Sequence, residues 1–246
     1  MTVRRTALVT GASRGIGRAI AQRLAAEGFD LTVSARADRP LKDTAHELRA
    51  YGNRVESVSA DMADETQVQA LADAHLERYE RLDALVLAAG MGAGGELADY
   101  PLHRLDTMMT VNLRAPFQMV QRLLPALRTA GSSPSGLGAK VIAIASITGV
   151  ASEPGLAAYG ATKAALISLC ESITVAEGAA GVSATALSPG YVDTDMTAWV
   201  HDRIDPAEMI RTDDIAELAL AICRLSRHAA VPNIVVSRAG GPLWRG

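Results

Sequence analysis

A regular alternation restricts the fold more than any other feature of this chain. Short runs that are apolar throughout alternate with helically patterned stretches from one end of the 246 residues to the other. Thr6–Thr10 reads as the first strand and Ile16–Glu27 as the first helix. Leu31–Ala35 with Leu41–Tyr51, then Val55–Ala60 with Glu65–Tyr79, repeat the pair. Ala84–Ala88 is a fourth strand, followed by helical stretches Leu102–Leu113 and Ala115–Ala130 and a polar, glycine-rich loop, Gly131–Ala139. Strand Val141–Ala145, a helix over 157–176, strand Ser183–Leu187, helix Asp213–Leu225 and strand Ile234–Ser237 complete the series. Strands this apolar are buried on both faces, as happens where helices cover both sides of a parallel sheet. The pattern predicts an α/β fold: a doubly wound, seven-stranded parallel sheet flanked by helices, as one domain over residues 1–246. No linker-like composition or internal repeat interrupts it.

Composition narrows the setting. Hydrophobic residues make up 49% and charged residues 21%, which is globular rather than disordered usage. A net charge of −3, with no basic patch interleaved with aromatics, gives no case for nucleic acid. No apolar stretch approaches the length of a membrane span. Arg4-Arg5 before Thr6–Val9 mimics a signal peptide, but the apolar run stops at Gly11, too short for one. Cys170 and Cys223 lie in helical patterns without a CxxC neighbour or a histidine cluster, so they read as reduced, buried thiols and not as metal ligands. A soluble, cytoplasmic protein without a metal is expected.

The turn between the first strand and first helix is Thr10-Gly11-Ala12-Ser13-Arg14-Gly15-Ile16-Gly17. Gly11 permits a tight turn, Gly15 lets the backbone approach a pyrophosphate, and Gly17 allows close helix–strand packing. The helix N-terminus then offers free N–H groups to phosphates. The spacing is G-x-x-x-G-x-G, a departure from the general dinucleotide fingerprint, G-x-G-x-x-G. Candidate cofactor contacts here are Gly11, Ser13, Arg14, Gly15, Ile16 and Gly17, with Ala88 and Gly90 after the fourth strand. The end of the second strand selects the dinucleotide: a carboxylate there binds the 2′-hydroxyl of NAD, whereas arginine accommodates the 2′-phosphate of NADP. The chain has Ser34-Ala35-Arg36, with Arg14 as a second cation in the turn. NADP is therefore expected. Asp61-Met62, ending the third strand, are placed to flank an adenine, although an aspartate there also suits a helix cap.

Tyr159 and Lys163 are four residues apart in the expected 157–176 helix and so share a face. A tyrosine titrates near pH 10, and a neighbouring ammonium lowers that value; a fall of about 2 to 3 pH units would bring it near its working range. Ser146, after the fifth strand, supplies a hydroxyl to polarise a carbonyl oxygen. A single Tyr-x-x-x-Lys is also compatible with a packed tyrosine and a solvated lysine. Here the matching cofactor turn makes it a proton-transfer site.

Together these residues resemble the short-chain dehydrogenase/reductase family over essentially the whole chain. The likeness rests on the Gly11–Gly17 turn, Asn112, Ser146, Tyr159, Lys163 and Pro189-Gly190-Tyr191-Val192-Asp193-Thr194, in family order and spacing. The resemblance implies an NAD(P)-binding Rossmann domain. It implies that Tyr159 is the acid/base, and that Lys163 tunes it and holds the nicotinamide ribose. Ser146 then orients the substrate oxygen, and Asn112 positions a water in a proton relay. It also places Pro189, Gly190, Val192 and Thr194 against the nicotinamide carboxamide, with Tyr159 and Lys163 touching the cofactor as well. Pro116 adds a local argument, because it has no N–H to bond the Asn112 carbonyl in a helix. Two departures stand out. Leu87-Ala88-Ala89-Gly90 lacks the family's asparagine, which ties the central sheet together, and Ile234–Gly241 is unlike the usual ending of the acyl-carrier-protein ketoreductases.

The activity implied is NADP-dependent reduction of a carbonyl, or oxidation of a secondary alcohol. The rivals are a non-catalytic NADP-sensing regulator, a 3-oxoacyl thioester reductase as the specific class, and an epimerase or dehydratase of the extended family, which needs a larger C-terminal domain. A small substrate lid is expected around 195–211, where Met196 and Trp199 suggest an apolar or aromatic substrate and His201 is read as solvated. Gly92-Ala93-Gly94-Gly95 borders the same region as a mobile loop. The apolar helices Ala115–Ala130 and 157–176 predict a homodimer or homotetramer, with Trp244 a further candidate for that contact.

Overall fold

The computed structural model describes residues 4–241, so Trp244 lies outside the described residues. Seven strands form one sheet: β1 (Thr6–Thr10), β2 (Asp30–Ala35), β3 (Val55–Ser59), β4 (Ala84–Leu87), β5 (Ala139–Ile144), β6 (Val182–Pro189) and β7 (Asn233–Val236). Every pairing is parallel, and the order is β3-β2-β1-β4-β5-β6-β7. The helices are α1 (Gly15–Ala26), α2 (Asp38–Arg49), α3 (Glu65–Tyr79), α4 (Leu102–Met109), α5 (Ala115–Gly131), α6 (Ala157–Glu177) and α7 (Thr212–Arg224).

The unbroken apolar runs have the expected cause. Every residue of β1, β5 and β6 is buried, and alternate side chains feed two different cores. Ala7 and Val9 pack with α1, α2 and α7, whereas Leu8 packs with α3, α5 and α6 on the other side. Strand order reverses between β1 and β4, and a crevice opens there beyond the carboxyl ends of the strands.

One boundary differs from expectation for a definite reason. The two helical stretches around Asn112 are not separated at Pro116. A π turn, Thr110–Arg114, joins α4 to α5, with the Ala115 N–H donating to the Thr110 carbonyl five residues back. Pro116 lacks the N–H that a regular helix would place against Asn112, and the wider turn absorbs that loss.

Candidate active site

The carboxyl ends of the strands open into a cleft of about 1040 Å3. Gly11, Ser13, Arg14, Gly15, Ile16 and Gly17 line it after β1, Arg36 after β2, and Asp61 and Met62 after β3. Ala88 and Gly90 follow from β4, Ser146 from β5, Tyr159 and Lys163 from α6, and Pro189, Gly190, Val192 and Thr194 from β6. Of the candidate residues, Asn112 alone is not on the cleft surface. It is buried, with its Oδ1 and the Lys163 Nζ each 3.4 Å from the point where a Cβ on Gly90 would lie.

The turn after β1 suits a dinucleotide pyrophosphate. A Cβ at Gly17 would lie 2.3 Å from the Gly11 carbonyl oxygen, so glycine is what lets α1 begin this close to β1. Arg14 precedes α1 in extended backbone without a side-chain capping bond, and the first turn carries no acid. The helix therefore presents N–H groups to which no carboxylate is attached. Arg36 is exposed at the cleft. Arg14, the second cation of the turn, pairs at the surface with Asp195 of the segment after β6, Nη1 to Oδ2 at 2.9 Å. Asp61 folds onto its own turn, accepting from the Ala63 N–H at 2.9 Å, while the α3 cap is Asp64, which accepts from the N–H groups of Thr66 and Gln67.

The asparagine absent after β4 has a substitute in Thr10. Its hydroxyl donates to the Val86 carbonyl at 3.3 Å and accepts from the N–H groups of Ala88 and Ala89, each at 3.1 Å. Three polar bonds thus tie β1 to the end of β4.

Around Tyr159 the polar groups are closely matched. Ser146 Oγ accepts from the Thr148 hydroxyl at 2.9 Å and the Thr148 N–H at 3.2 Å. A hydroxyl whose acceptor capacity is filled has only its own hydrogen left to offer. Lys163, buried, donates from Nζ to the Ile144 carbonyl at 2.7 Å and lies 5.6 Å from the Tyr159 ring centroid. Asn112 Nδ2 donates to the Met91 carbonyl at 2.8 Å and to Thr162 Oγ1 at 3.0 Å, and Oδ1 accepts from the Met91 N–H at 2.9 Å. Thr162 in turn donates to the Tyr159 carbonyl at 2.8 Å. The Asn112 side chain is therefore committed to locking the loop after β4 onto α6, which leaves its main-chain carbonyl as the group a relay water could use.

Burial sets the electrostatics of this pair. Burial pushes the Tyr159 phenol up to about 12, and the Ser146 hydroxyl beside it draws it only partly back. Burial likewise lowers Lys163 to about 8. Loss of water dominates both groups, while the Lys163 ammonium keeps its charge as it donates to the Ile144 carbonyl.

The glycine loop runs close against the tyrosine. A Cβ at Gly92 would stand 3.3 Å from the Tyr159 ring, and Gly95 N–H bonds the Gly155 carbonyl at 2.9 Å. Glycine there permits close approach to Tyr159 of α6 and to the segment just before that helix. Met196 and Trp199 are exposed on the cleft, and His201 lines it 4.0 Å from Asp193. Thr10, Thr148 and Thr162 were not foreseen; a hydroxyl one or two positions from Gly11, Ser146 and Lys163 was the available sign. Glu153, which also lines the cleft, had none.

A family model described as short chain dehydrogenase matches residues 5–204. The chain belongs to that family. This short-chain dehydrogenase is 34% identical to a rhamnolipid-biosynthesis 3-oxoacyl-[acyl-carrier-protein] reductase of Pseudomonas aeruginosa, over 96% of its own length and 89% of the relative's. Among solved structures, an alcohol dehydrogenase of Thermococcus sibiricus complexed with 5-hydroxy-NADP superposes with a TM-score of 0.87 at 27% identity, covering 98% of this chain and 99% of that one. A 3-oxoacyl-[acyl-carrier protein] reductase of Brucella melitensis in complex with NAD gives 0.85 at 29% identity, covering 96% of both chains. Among the described residues no helix of this short-chain dehydrogenase is long and apolar enough to cross a membrane, and no cluster of histidine, cysteine and carboxylate suits a metal.

Proposed function

We propose that this short-chain dehydrogenase is an NADP-dependent carbonyl reductase, running in reverse as a secondary-alcohol dehydrogenase. The observation that carries the reading is the convergence of Ser146, Tyr159 and Lys163 on the same cleft as the glycine turn. A nicotinamide cofactor held in this cleft would supply hydride chemistry. Ser146, its oxygen saturated by Thr148, donates its hydrogen to the substrate oxygen. Tyr159 stays protonated at neutral pH and gives its Oη proton to that oxygen, the direction that carbonyl reduction needs. Lys163 holds positive charge below about pH 8 where the new phenolate forms. Asn112 holds the loop and helix in register and offers its carbonyl to a relay water. Arg36 would meet the 2′-phosphate of a bound NADP, and Pro189, Gly190, Val192 and Thr194, which line the same cleft, would hold the nicotinamide. The segment 195–211 serves as a small lid.

A second reading, a 3-oxoacyl thioester reductase, is favoured by the names of two of the relatives above. The test of both is NADPH oxidation against panels of ketones, aldehydes, quinones and acyl thioesters, with Tyr159→Phe as the control. The wild type should oxidise NADPH with at least one class, and the variant should bind NADPH but lose turnover. Wild-type rates in Tyr159→Phe would remove the acid/base assignment.

A further inference from the structure

The cleft carries a group that the reduction chemistry does not use. Glu153 lies between the 3-10 turn Ile147–Gly149 and α6, half-buried and on the cleft surface. Its segment is pinned: the Glu153 carbonyl accepts from the Leu156 N–H at 3.2 Å, and the Gly155 carbonyl from the Gly95 N–H at 2.9 Å. The side chain is fixed as well. Tyr191, leading out of β6, donates its hydroxyl to Glu153 Oε1 at 2.8 Å. That tyrosine is itself braced by Trp199 of the following segment, edge-on at 6.0 Å between ring centroids. Among the described residues Glu153 has no cationic partner, so the second carboxylate oxygen has lone pairs to offer. Leu156, Met196 and Trp199 supply apolar surface on the same stretch of wall.

An oriented carboxylate beside an aromatic ring sets two conditions on what enters. It rewards a hydrogen-bond donor and repels an anion. We infer that Glu153 is a substrate-binding residue that selects ketones bearing a hydroxyl or ammonium donor, on an apolar or aromatic skeleton, and that turns away keto acids. Tyr191 acts through Glu153 as a positioning residue. The inference rests on the carbonyl-reductase reading, since it concerns which carbonyl compound that site accepts.

Three phenyl ketones of similar size separate the possibilities: 2-hydroxyacetophenone carries the donor, propiophenone an inert methyl, and benzoylformate a carboxylate. With NADPH and NADH in turn, kcat/KM is measured for wild type, Glu153→Gln, Glu153→Leu and Tyr191→Phe, and enhanced NADPH fluorescence reports that each variant retains a folded cofactor site. The readout is the ratio between substrates within one protein, which a general loss of activity leaves unmoved. Wild type should prefer 2-hydroxyacetophenone over propiophenone by roughly ten-fold or more, the discrimination available to one hydrogen bond to a charged group. Glu153→Leu should erase that preference, chiefly through KM. Glu153→Gln should keep part of it while raising benzoylformate relative to propiophenone by about ten-fold, since only the charge is gone. Tyr191→Phe should weaken the hydroxyl preference without admitting benzoylformate. If all three ketones are reduced with ratios that the Glu153 variants do not change, the inference falls and the carbonyl-reductase reading stands. If none of the three ketones is reduced with either cofactor, the inference falls, and the carbonyl-reductase reading is decided by the wider panel of carbonyl compounds.

Discussion

Tyr159 and Lys163 reverse the usual order of their side chains: the lysine loses its proton near 8, and the phenol keeps its own to about 12. Activity should follow the lysine. We expect kcat/KM for reduction to be level from pH 6 to about 8 and to decline above it as Lys163 becomes neutral; a profile flat to pH 10 would show that the ammonium is not required. Arg36 is exposed at the end of β2 and without a carboxylate partner among the described residues, whereas the exposed Arg14 pairs with Asp195. Arg36→Asp should therefore weaken NADPH relative to NADH by about 1.5 to 3 kcal/mol, read as a ratio of dissociation constants, and an unchanged ratio would take Arg36 out of the site. The candidate side chains were legible because each lies in a short motif of fixed spacing. Their proton affinities were not, since spacing puts Lys163 near Tyr159 but says nothing of the water both lose or of the Ile144 carbonyl that takes the ammonium.

Between elements, one buried imidazole joins β2 to α3. His75 Nδ1 bonds the Thr32 hydroxyl at 2.8 Å and Nε2 the Arg81 carbonyl at 3.0 Å. Burial lowers its pKa from 6.5 to about 4, against the Arg81 carbonyl and Asp83, which raise it. The unfolded chain takes up that proton near pH 6.5 and the folded chain only near 4, so the stabilisation is complete above 6.5 and is lost as pH falls toward 4. The loss amounts to roughly 3 kcal/mol. Urea titrations at pH 7 and 4.5 should show the fall in wild type and a smaller one in His75→Gln; equal falls would assign the acid sensitivity elsewhere. Strand identity and order of appearance were readable because parallel strands buried on both faces leave uninterrupted apolar runs. The π turn was not, because the sequence shows only that Pro116 removes a bond and not whether the helix breaks or widens in response.

For the whole molecule, the question is what covers α5 and α6. Phe117 on α5 is 54% exposed and Val175 on α6 is 87% exposed, although both helices are apolar over long stretches. We expect a homodimer or homotetramer assembled through these helices. Light scattering at micromolar concentration should show the assembly in wild type and its dissociation in Phe117→Glu, which buries a charge in the contact. A monomeric wild type would leave the two helices simply solvated.

The rod formed by α4, the π turn and α5 has a consequence for how the domain is wired. One extra residue in a helical turn advances every later side chain by about 100° around the axis. The stripe that α4 offers is therefore not the one α5 continues: α4 meets α6, whereas α5 meets α3 and β5. A single backbone segment changes its neighbours at Asn112, and a one-residue deletion there would swing the remainder of the rod away from the partners it now serves.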